Sequence, residues 1–76
     1  MDTVSIIIRL EQLVADYLIL HRNSIEEYEL HINRLIQFIR EHKISRTIVE
    51  KIINSIDYVD CDKNSKRILI TLIYMN

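Results

Sequence analysis

Five cations fall within the span from Arg46 to Arg67: Arg46, Lys51, Lys63, Lys66 and Arg67. Guanidinium and ammonium groups of this kind pair with phosphates. The formal net charge of -1 conceals where they sit. Residues 1 to 39 carry three arginines against six acids, a balance of -3, and residues 40 to 76 carry seven basic residues against five acids, a balance of +2. Phosphate binding generally draws on several clustered cations, so an excess of two becomes a site only if folding gathers them. Other chemistry is poorly provided for. His21, His31 and His42 are separated by ten and eleven residues, and His31 and His42, if on one helix, would stand about 16 Å apart at roughly 1.5 Å per residue, too far for one metal. Asp60, Asp62 and Asn64 alternate as in a calcium loop, yet no glycine follows and Thr71 holds the position where the closing glutamate belongs. The chain has no glycine-rich phosphate loop, no Cys and His cluster, and no nucleophile with an evident base. These absences predict a protein that is not an enzyme and that uses no metal or cofactor.

Seventy-six residues make one domain, and a chain of this length buries about 60% of the surface it exposes when unfolded. Apolar residues nevertheless make up 49% of it, sixteen of them isoleucine. That surplus predicts self-association, most simply a homodimer. The apolar runs are far too short to span a membrane, and Asp2, Glu11 and Asp16 are wrong for a signal peptide. The single cysteine, Cys61, cannot form an internal disulfide. A cytoplasmic protein is the expectation. Abundant Ile, Asn, Lys and Tyr suggest an AT-rich coding sequence, as in many phage, plasmid or viral genes.

The elements that would position the cations follow from periodicity and punctuation. Glycine and proline are both absent, so turns must use residues that tolerate left-handed backbone, and asparagine is the usual substitute. Asn-Ser dipeptides at Asn23, Asn54 and Asn64 therefore read as breaks. Helix 1 is expected over about residues 3 to 22, with Ile6, Ile7, Leu10, Leu13, Val14, Tyr17, Leu18 and Leu20 on its core face. Ile8, Ala15 and Ile19 form an extra stripe spaced like a helix-to-helix seam, either the favoured interface between copies or a surface that a third helix of the same chain covers. Val4 to Ile8 is β-branched enough to be read alternatively as a short strand. Ser24 and Glu27 form a capping box that opens helix 2, about residues 25 to 42. Its core face carries Ile25, Tyr28, Ile32, Leu35, Ile36 and Ile39, and Phe38 lies outside that face as a candidate partner contact. Helix 3, about residues 46 to 56, starts after Ser45 as N-cap, or with Thr47 and Glu50 as an alternative capping box, and buries Ile48, Val49, Ile52, Ile53 and Ile56. Tyr58 to Asp62 and Ile68 to Tyr74 then read as two strands of a hairpin over about 58 to 75, joined by Lys63 to Lys66. Cys61 falls on its apolar side as a small core residue.

The predicted fold class is thus α+β: three helices and a C-terminal hairpin. This order, over residues 32 to 74, resembles that of winged-helix and related helix-turn-helix proteins, an architectural resemblance without a family-specific motif. The resemblance implies that helix 3 enters the major groove of double-stranded DNA and that the hairpin is the wing. Arg46, Thr47, Lys51 and Asn54 would then face the bases, with Lys63, Lys66 and Arg67 on phosphates. Glu50 on the same face argues against it. Two functions remain open. One is a small dimeric DNA-binding regulator. The other is a homo-oligomeric protein-interaction module, such as an inhibitor or assembly adaptor, using Ile8, Ala15, Ile19 or Phe38.

Overall fold

Four helices account for the regular structure of the residues described by the computed structural model, which are 2 to 20, 25 to 57 and 63 to 75. They are α1 (Thr3–Leu20), α2 (Ile25–Glu41), α3 (Arg46–Ser55) and α4 (Lys63–Tyr74). The first begins at Asp2, whose carboxylate accepts the amide of Ser5 at 2.7 Å and satisfies one of the donors left open in the first turn. Val4 to Ile8 is helical, so the alternative strand there is excluded.

Lys43 carries the one left-handed backbone among the described residues, φ 52°. It closes α2. The amide of Ile44 donates to the carbonyl of Ile39 at 3.1 Å and that of Lys43 to Arg40 at 3.2 Å, the paired bonds of a Schellman end. His42 adds its ring: Nδ1 lies 3.1 Å from the carbonyl of Phe38, which requires the proton on Nδ1, and the two rings stack with centroids 4.2 Å apart. Ile44, just past the left-handed residue, packs against the core. The asparagines expected to punctuate the chain do not: Asn54 lies in the last turn of α3 and Asn64 in the first turn of α4. Asn23 and the Ser24 capping box lie outside the described residues.

The C-terminal hairpin, and with it the α+β class and the winged-helix order, is overturned by α4. Lys63 to Lys66, read as the turn, is its first turn, and Ile68 to Tyr74 is helical. A short apolar run has no decisive period, and four of the residues from 68 to 74 are β-branched, which favoured a strand. Burial decides otherwise. Leu69 and Ile73, one turn apart, go into the core, Ile70 and Leu72 are half-buried, and Ile68 and Thr71 face outward. A lone two-stranded hairpin is marginal in water, whereas this helix finds a core to join. Tyr58 to Asp62, including Cys61, lies outside the described residues.

The core is a single cluster fed by every helix. Leu10, Leu13, Val14, Tyr17 and Leu18 of α1 meet Ile32, Leu35 and Ile39 of α2, and Val49, Ile52, Ile53, Ile56, Leu69 and Ile73 close the other side. Helix α3 packs on α1 and α4, and α4 returns to α2. Ile48, expected inside, is 43% exposed, because α3 buries the side carrying Val49, Ile52 and Ile53.

Candidate functional site

Helices α3 and α4 run antiparallel. The start of α3 meets the end of α4, where the guanidinium carbon of Arg46 stands 4.9 Å over the ring of Tyr74. Its end meets the start of α4, where the Lys66 ammonium donates to the carbonyl of Ile56, the C-cap of α3. Ser45 sets the near end: extended at φ -70° and ψ 152°, it accepts the amide of Ile48 on Oγ at 3.4 Å. Ser55 at the far end donates its hydroxyl to Ile52 at 2.8 Å.

Two stripes face each other across the resulting groove. Arg46, Glu50 and Asn54 recur every fourth residue on α3, and Lys63, Arg67 and Thr71 do so on α4, with Lys66 and Ile70 alongside. The space between them is about 630 Å³. Among the described residues four of its lining residues are cations and one is an anion. That anion is already engaged, since Arg46 Nε lies 3.0 Å from Glu50 Oε1. Thr71 turns its hydroxyl back to the carbonyl of Arg67 at 3.0 Å. Burial holds the Tyr74 phenol above its ordinary value, an effect opposed by the charge of Arg46 and reinforced by that of Glu50.

The groove runs against the helix dipole. The positive N-terminal end of a helix favours acids, yet α4 opens with Lys63, Lys66 and Arg67 in its first five residues and no acid in its first turn. Lys66 is partly explained by the Ile56 carbonyl at the negative end of α3. Lys63 and Arg67 are exposed with no carboxylate beside them among the described residues. An anion entering here would meet Lys63, Lys66 and Arg67 with the positive end of α4, and Arg46 beyond them in its pair with Glu50.

Of the seven residues singled out by sequence, Arg46, Asn54, Lys63, Lys66 and Arg67 line this groove. Thr47 and Lys51 are exposed on the outer side of α3 and do not line it. Glu50, which counted against the site, is neutralised by Arg46. Thr71 and the Tyr74 ring were missed; the four-residue spacing from Lys63 through Arg67 to Thr71 was the available signal, hidden by reading the run as a strand.

The proposed interface stripe is broken. Ile8 and Ile19 are 49% and 52% exposed, but Ala15 between them is buried. Phe38 is half-buried against the core and against His42. Among the described residues no group of three or more His, Cys, Asp or Glu is placed to hold a metal ion, and no helix is long and apolar enough to cross a membrane. No protein-family model, curated protein or solved structure matches the chain.

Proposed function

We propose that this chain is a small non-enzymatic DNA-binding regulator that engages backbone phosphates through the groove between α3 and α4. The observation that carries the reading is the set of cations at the start of α4, Lys63, Lys66 and Arg67, gathered with Arg46 against the local dipole preference. Each cation so placed at a helix N-terminus costs about 0.3 to 1 kcal/mol, and places where a local rule is broken are commonly sites of function. A polyphosphate backbone reverses the sign of that cost. Thr47 and Lys51, exposed on the outer side of α3, extend the polar surface beyond the groove. Asn54 supplies the one side-chain amide in it among the described residues, a group able to pair with an adenine edge. The positioning task falls to the cations and the discriminating task to Asn54.

Fluorescence anisotropy with a random duplex, repeated over a series of salt concentrations, tests this. Three phosphate contacts, from Lys63, Lys66 and Arg67, give a slope of log affinity against log salt of about -2.7, which amounts to roughly a fortyfold loss between 50 and 200 mM. Lys63→Ala with Arg67→Ala, both at exposed positions, should flatten the slope by about 1.8 and leave the helical circular dichroism unchanged. A double variant with the affinity and slope of the parent would remove the groove from consideration.

A further inference from the structure

Glu50 lines a groove in which every other charged side chain among the described residues is a cation. Its placement with Arg46 serves the helix poorly. Arg46 is the first residue of α3, at the positive end of the dipole, and it precedes Glu50 by four residues, the weaker of the two orders for an ion pair on a helix. With side chains 61% and 38% exposed, the pair adds little to stability. Its effect falls on the groove instead. Glu50 takes the Nε edge of the guanidinium at 3.0 Å, and the Tyr74 ring lies against the group with its centroid 4.9 Å from the central carbon. The Nε edge is thereby closed to a fork of two bonds from a phosphate.

We infer that Glu50 is a specificity-determining residue of the groove, which withholds Arg46 from backbone phosphates and limits the contact to the three cations of α4. The inference rests on the DNA-binding reading above and says how that site is tuned. A phosphate that reached the remaining nitrogens of Arg46 would also stand beside the Glu50 carboxylate, within the screening length of about 8 Å at physiological salt. Attraction and repulsion there nearly cancel. Lys63 and Arg67 have no carboxylate beside them among the described residues, so their pull on a phosphate is undiminished. The groove is thus divided along its length. Its cationic end holds the backbone, and the end where α3 begins is electrically neutral although an arginine stands in it. Fewer phosphate contacts weaken the grip that is blind to sequence and leave a larger share of the binding to Asn54.

A mutant cycle read by anisotropy with a random duplex over a salt series tests the inference, using the full chain as parent, Glu50→Gln, Arg46→Ala and the double variant. Releasing Arg46 adds a fourth phosphate contact, so Glu50→Gln should steepen the slope from about -2.7 to about -3.6, a roughly 150-fold loss between 50 and 200 mM in place of a fortyfold one. Glu50→Ala, with a better helix former, should do the same, and Glu50→Asp, which keeps the charge, should stay with the parent. The decisive arm is the double variant. Without Arg46 there is nothing to release, and Glu50→Gln should then leave the slope at about -2.7. A slope unchanged by Glu50→Gln and Glu50→Ala in a chain that binds overturns the role of Glu50 and leaves the groove reading in place. Steepening that persists in the double variant also overturns it, because it would report only the loss of one negative charge. If neither the parent nor Glu50→Gln binds at low salt, the DNA reading falls and this inference with it.

Discussion

Replacing Lys43 by glycine should stabilise the fold. The residue sits at φ 52° and cannot leave that region without breaking the bonds from its own amide to Arg40 and from Ile44 to Ile39 that close α2. Holding an L-residue with a β-carbon there costs roughly 1 to 2 kcal/mol, a penalty glycine escapes. Glycine also loosens the unfolded chain, which returns about 0.4 to 1 kcal/mol. The net gain is about 0.5 to 1 kcal/mol. For a domain of this length that is a rise in melting temperature of about 3 to 6 °C, or a urea midpoint shifted by about half a molar unit. Lys43→Ala is the informative control, because it removes the same charge and stem but keeps the β-carbon; it should remain within about 0.5 kcal/mol of the parent. Both variants would be melted in dilute solution by circular dichroism. If the glycine variant proves no more stable than the alanine variant, the reasoning from backbone strain fails.

Ile53 is fully buried, and Ile53→Ala should cost about 2 to 5 kcal/mol, a large part of the roughly 4 to 11 kcal/mol available to a chain of this size; a cooperative melt unchanged from the parent would contradict the core assignment. The backbone amide of Ser5 holds the Asp2 carboxyl below its ordinary 3.8, so this group favours the folded state above about pH 4 and loses that effect as pH falls through the lowered value. Asp2→Asn should accordingly show a shallower loss of melting temperature on acidification below pH 4. Tyr74 is shifted the other way: with its phenol raised above 10.0, the folded state retains the proton longer, and stability tied to it declines as pH climbs past 10. The absorbance difference between the parent and Tyr74→Phe should show one tyrosine ionising above the ordinary value, and a Tyr74 that titrates at or below it would refute its burial.

The first three helices were legible because each has a long amphipathic period, and Ser45 was legible as a cap because its hydroxyl does what serine does at that position. The fourth was misread. In Ile68 to Tyr74 nearly every residue is apolar, so the 3.6-residue pattern of Leu69 and Ile73 is visible only when the polar segment from Lys63 to Arg67 is taken into the same helix. The left-handed turn residue was equally hidden: Lys43 has no intrinsic preference for that backbone and is placed there by the pairing of Ile39 with Ile44. Cations near the start of a wing and cations near the start of a helix are the same residues, and five of the seven named converge across α3 and α4. The stripe of Ile8, Ala15 and Ile19 is interrupted at Ala15, which is buried, since spacing along one helix says nothing about which of its residues another helix will cover.

Ten residues are fewer than an isolated helix needs to hold its shape in water, where about 12 to 15 are required. The helicity of α3 is therefore supplied by its neighbours, through Val49, Ile52 and Ile53 set into the core. A substitution that loosens α1 or α4 thus weakens α3 and the groove wall that it forms, with no residue of the groove changed.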